Sequence, residues 1–113
     1  MLATFTALAE PNRLRIVELL RSGPRPVGEI GRRLRLRQPQ ASKHLRILKE
    51  AGLVAVRPEA QRRLYELRAD RLLEIDAWLE PYRRYWNARL DALERHLETM
   101  DREAPRRRRR RTP

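Results

Sequence analysis

Between residues 38 and 46 the chain reads Gln-Pro-Gln-Ala-Ser-Lys-His-Leu-Arg, a run rich in side chains that make directed polar bonds. An amide such as Gln38 or Gln40 can donate and accept at once, and so pair with an adenine edge. Ser42 can bond a base or a phosphate, and Lys43 and Arg46 can bond guanine or a phosphate. His44 reads as a packing or phosphate-contacting residue beside Leu45. A second group, Gln61, Arg62 and Arg63, could hold phosphate or reach a minor groove. This is the chemistry of polyanion recognition, and the parts needed for catalysis are missing. Ser42 and His44 stand two apart on one helix, so they point about 160° apart and cannot act as nucleophile and base. With no Cys, two His and no Gly-rich phosphate loop, thiol and disulfide chemistry are excluded and no enzyme is expected. Asp91, Glu94, His96 and Glu98 imitate a metal site. However, only Asp91 with Glu94, or Glu94 with Glu98, share a helix face, and neither pair adds an imidazole. No metal and no cofactor are expected.

The elements that must position these groups are marked by punctuation and period. Met1 to Ala9 is a short helix with Leu2, Phe5 and Leu8 at steps of three. Pro11 opens a second helix whose Leu14, Ile16, Val17, Leu19 and Leu20 make an apolar face wide enough for the core. Gly23 stops it, and Pro24-Arg25-Pro26 reads as a plain connection to a third helix carrying Val27, Ile30 and Leu34. After a break at Arg35 to Arg37, a fourth helix runs from Gln38 to about Ala51, with Gly52 placed to end it. Its Ala41, Leu45 and Leu48 share an inner face, while Ser42, Lys43 and Arg46 point outward. Two β-prone runs, 53–57 and 64–68, then form a hairpin joined by residues 58–63, whose lack of Gly predicts a wide turn.

From Leu72 an apolar stripe passes through Ile75, Leu79, Tyr82, Trp86, Leu90, Leu93, Leu97 and Met100 in steps of three and four. Pro81 lies inside it and is expected to kink or divide the helix. The stripe is longer than the rest of so small a chain can cover, so part of it needs a second chain. The aromatics Trp78, Tyr82, Tyr85 and Trp86 fit a core or subunit interface better than a ligand pocket.

The chain has 113 residues, room for one modest core, with 37% charged and 41% hydrophobic residues. Twenty-seven Lys and Arg against fifteen Asp and Glu leave a formal charge of +12, which calls for an anionic partner such as nucleic acid. That 25 of the basic residues are Arg fits a GC-rich genome as well as guanidinium chemistry. No apolar run spans a membrane and no signal peptide is recognisable, so a cytoplasmic, nucleoid-associated place is expected. The division read from composition is a folded domain over 1–101 and a disordered Arg-rich tail over 102–113.

A mainly α chain in which two helices meet at a tight break and the second leads into a basic hairpin is a winged helix-turn-helix, with five helices and a two-stranded wing. Gly31 and Ala41 are expected to be small because the two helices approach closely there. On the stretches ALAEPNRLRIVELL (7–20), QPQASKHLRILKEAGLV (38–54) and RRLYEL (62–67), the sequence resembles the ArsR family of bacterial winged-helix repressors. The resemblance implies a homodimer built from the first and last helices, through Leu2, Phe5, Leu79, Tyr82, Trp86, Leu90, Leu93 and Leu97. The dimer would present two recognition helices and two wings to palindromic double-stranded DNA. The aromatic last helix looks like a subgroup without metal ligands, and no inducer is indicated. Arg35 stands where such turns often have Gly, and Arg37 where relatives place a Ser cap. The leading expectation is a dimeric repressor of its own operon. A nonspecific basic nucleic-acid-binding or architectural protein, and a protein-interaction module using the last helix, are the alternatives.

Overall fold

A computed structural model describes residues 1–103. The element order is α1 (Leu2–Leu8), α2 (Pro11–Leu20), β1 (Arg25–Pro26), α3 (Val27–Leu34), α4 (Gln38–Glu50), β2 (Val54–Glu59), β3 (Arg62–Leu67) and α5 (Leu72–Glu103), with a 3-10 turn at Ala69–Arg71 before α5. The chain divides into two compact units, the first ending at Ala77 and the second beginning at Trp78.

In the first unit, Ile16 of α2, Ile30 of α3, Leu45 and Leu48 of α4, and Leu53 are completely buried and form the centre of the core. Leu20, Val17 and Val54 pack around them. Burying each such side chain is worth about 1.5–3 kcal/mol, which is why α3 and α4, too short to hold a helical form alone, are stable here. Of the apolar triplet of α1, only Leu8 packs against the core. Thr4 and Ala7 face the core, while Leu2 is 78% exposed and Phe5 and Leu8 are half-buried. Arg13 fixes the α1–α2 corner by donating from Nε to the carbonyl of Ala7 (2.7 Å), satisfying a helix-end acceptor.

Three expectations are corrected. The two-stranded wing, β2 with β3, stands as expected, but Pro24-Arg25-Pro26 is more than a connection, because β1 joins the sheet as a third strand in the order β1-β3-β2. Arg25 and Pro26 leave the plain connection to pair antiparallel with Tyr65 and Leu64. The wing turn is tight, not wide: β2 and β3 pair from Val54↔Leu67 out to Glu59↔Arg62, leaving only Ala60 and Gln61 between them. Ala60 makes this possible by adopting a left-handed backbone, φ 53°, where a two-residue turn ordinarily takes Gly or Asn. Pro58 sits in β2, an edge strand, where its missing N–H costs no ladder bond to a further neighbour. Finally, the closeness at Gly31 is not to α4. A Cβ there would lie 2.9 Å from the carbonyl oxygen of Leu36, inside the turn.

The break between α3 and α4 closes by two backbone bonds, Leu36 N–H to Gly31 O (2.8 Å) and Arg35 N–H to Arg32 O (3.4 Å), with Arg35 left-handed at φ 58°. This is the ending that a helix usually makes with glycine. The end of α4 repeats it with an actual glycine: Gly52, at φ 78°, donates to Lys49 O, and Leu53 donates to Leu48 O, both at 3.0 Å. Pro81 lies inside α5 without dividing it, and Arg102 and Glu103 belong to the same helix. The expected Arg-rich tail lies, from residue 104 on, outside the described residues.

Candidate nucleic-acid interface

α4 separates its side chains by face. Ala41, Leu45 and Leu48 are fully buried, whereas Gln38, Gln40, Ser42, Lys43 and Arg46 are exposed. The pattern of residue types dictates this directly: apolar residues at steps of three and four turn inward, and the polar ones between them are left in water. His44 stands apart from that exposed group. Its ring is only 15% exposed and its Nδ1 lies 3.7 Å from Oε2 of Glu10, at the start of α2. The same carboxylate oxygen accepts the backbone N–H of Arg13 at 2.8 Å. His44 therefore packs against the start of α2, its Nδ1 near that carboxylate without a hydrogen bond to it, and does not line the outer face of α4.

The start of α4 is held by Gln40, whose Oε1 accepts the backbone N–H of Arg37 at 3.0 Å. Arg37, exposed and immediately before the helix, has only donors and cannot return a bond to the helix end. In the wing, Gln61, Arg62 and Arg63 are exposed around the turn. Arg57, an exposed residue that the sequence marks only as part of a strand, adds a cation across from Leu64 and within 3.6 Å of Glu66. Its signal is its place near the turn, visible only once the strand boundary is known.

Not every arginine in or beside α3 belongs to this surface. Arg25 and Arg33 both bond Glu29 Oε1, at 2.6 and 3.2 Å, and Arg25 also bonds Ser22 Oγ at 2.8 Å. Burial pushes the Glu29 carboxyl upward, but the hydrogen bond and charge of Arg25, with those of Arg33, outweigh it and hold the group below the ordinary carboxylate range. Two of the cations near the start of the motif are thus engaged in fixing α3. Among the described residues no group of three or more His, Asp or Glu is assembled that could hold a metal ion.

In the second unit, Trp78, Tyr82, Trp86, Leu90, Leu93, Leu97 and Met100 are each about half exposed, while Leu79 is half-buried. Tyr82 stacks obliquely between Trp78 and Trp86, with ring centroids at 5.0 and 6.3 Å. Among the described residues no helix is long and apolar enough to cross a membrane.

Residues 8–57 match a helix-turn-helix domain family. An HTH-type transcriptional regulator of Mycobacterium tuberculosis is 42% identical over 84 residues, covering 74% of this chain and 76% of the relative. The solution structure of the homodimeric winged helix-turn-helix DNA-binding domain of a possible ArsR-family transcriptional regulator of Mycobacterium bovis is similar with a TM-score of 0.60 and 31% identity. The likeness covers 71% of this chain and 74% of that one. The chain belongs to the ArsR family of winged helix-turn-helix transcriptional regulators. This ArsR-family chain is accordingly a regulator and not an enzyme. The transcriptional repressor SdpR of Bacillus subtilis is 31% identical over 75 residues, 66% of this chain and 83% of that protein. The domain match runs from the end of α1 through α2, α3 and α4 into β2, so it takes in the exposed face of α4 and leaves β3 and α5 outside it.

Proposed function

We propose that this ArsR-family chain is a homodimeric repressor that binds a palindromic DNA operator, with the promoter of its own operon as the first candidate. The observation that carries the reading is α4: one face of it fully buried, the other a row of amides, a hydroxyl and cations at the part of a recognition helix that enters a major groove. Gln38, Gln40, Ser42, Lys43 and Arg46 would meet bases and phosphates, with Gln61, Arg62 and Arg63 of the wing on adjacent backbone. The exposed stripe of α5 supplies apolar surface for a second copy, in keeping with the homodimeric relative, and in the first unit Leu2 is exposed as well. Repression is in keeping with the Bacillus relative.

The test is binding at fixed salt to a duplex selected from a random pool against random duplex, with transcription from that site measured in parallel. A preference of about 10³ or more, a two-fold symmetric footprint with half-sites about one helical turn or a multiple apart, and falling transcription are expected. Equal affinity for all sequences would replace this reading by nonspecific binding driven by the +12 charge, and rising transcription would make the protein an activator.

A further inference from the structure

The carboxamide of Gln40 has a second role that limits the first. Its carbonyl oxygen lies 3.0 Å from the backbone N–H of Arg37. An N–H can only donate, so the atom it meets must be the oxygen, and chemistry settles which end of the amide points there. The bond is half of a capping box. Arg37, which has no acceptor, cannot supply the other half, so the start of α4 leans on Gln40. Gln40 is nonetheless exposed, at the end of α4 that would reach base edges.

We infer that Gln40 reads guanine, through the N–H donors of Nε2, while its carbonyl stays on the cap. This rests on the proposed DNA-reading role of α4. A paired contact to adenine needs both ends of the amide, Nε2 donating to N7 and Oε1 accepting from the N6 amino group. The oxygen keeps a second lone pair, but the cap holds it toward Arg37, whereas the adenine pairing needs both ends of the amide turned to one base edge. The guanine edge presents N7 and O6, both acceptors, and asks only for donors. Cytosine offers a donor to the end already engaged. Thymine offers one acceptor beside a methyl group, so it can take one bond where guanine takes two.

Selection of bound duplexes by the full-length chain tests this, with wild type, Gln40→Glu and Gln40→Ala run in parallel and each melted. Glu keeps an oxygen for the cap and removes the donor. Where the selected base changes between wild type and Gln40→Glu, the wild type is expected to favour guanine roughly tenfold, and the variant to turn to cytosine, whose amino group suits a carboxylate. Gln40→Glu should melt at or above the wild-type temperature, and Gln40→Ala roughly 2–4 °C lower. Adenine at that position, or no position that changes, overturns the assignment. So does a Gln40→Glu chain that melts as low as Gln40→Ala, because the carbonyl would then not be capping. A wild-type chain that enriches no sequence at all removes the DNA-reading role and this assignment with it, while the melts report the cap separately.

Discussion

Ala60 and Arg35 both hold a left-handed backbone that an L side chain occupies at a cost of roughly 1–2 kcal/mol. Ala60→Gly is therefore expected to stabilise the chain by about 1 kcal/mol in denaturant titrations, and an unchanged midpoint would mean the wing turn is not tight in solution. Arg35→Gly should stabilise similarly. If its guanidinium also touches a phosphate, the substitution should weaken binding to all duplexes alike, with a salt slope shallower by about 0.9 for each phosphate no longer neutralised. Gly31→Ala should move stability the other way, by about 1–3 kcal/mol, because the new methyl meets backbone that cannot swing aside. A small residue at 31 was legible in the sequence but its neighbour was not. The Leu36 carbonyl is brought there by the left-handed Arg35, a conformation nothing in an Arg side chain announces. The same ambiguity hid the cap at Gln40, since a Gln three residues into a helix reads equally well as a base-reading amide or as a capping group.

At the scale of elements, α4 was legible because an apolar inner face, a proline at its start and a glycine at its end all say the same thing. β1 was not: two residues, one of them a proline, carry no period, and only the finished hairpin gives them a partner. α3 is held by the Arg25–Glu29–Arg33 group, which ties its stability to pH. The folded-state pKa of Glu29 is lowered, so as pH falls the unfolded chain takes up the proton first. The stabilisation is full above the ordinary carboxylate range and is lost as pH drops through the depressed folded value. Glu74, held low by the hydrogen bond and charge of the Met1 amine, loses its contribution over the same interval. Glu29→Gln should lower Tm at neutral pH, with the gap to wild type closing in acid. A gap that persists there would assign the effect to packing instead of charge. In α5, Trp86→Ala should weaken a dimer by about 2 kcal/mol or more, roughly thirtyfold in Kd, with helix content retained. Sedimentation of the variant as an undiminished dimer would remove Trp86 from the interface.

For the whole molecule, the dominant quantity is charge. Deleting residues 105–113 removes six Arg and no acid, taking the formal +12 to +6. The expected result is a shallower salt dependence of binding, by about 5 units at most if every deleted cation had met a phosphate, with operator preference unchanged. An unchanged slope would show that these arginines do not take part, and a collapse of preference would show that they read DNA themselves. That a basic winged domain was recoverable from sequence follows from redundancy, since order, spacing and charge each point to it. The half-exposed stripe of α5 says that another surface is wanted without naming it.

The third strand has a mechanical consequence. β1 meets β3 only at Tyr65 and Leu64, whereas the β2–β3 ladder runs on to Glu59 and Arg62. The wing is thus a cantilever, clamped at its root and unsupported along its outer half by the described strands. The compliance of such a beam rises steeply with its free length, so Arg62 and Arg63 ride on a spring whose stiffness is set by how far a two-residue strand reaches. Lengthening or abolishing that clamp would change the arc these guanidinium groups sweep, and with it how many phosphates they would meet on the proposed DNA, without altering a single charge.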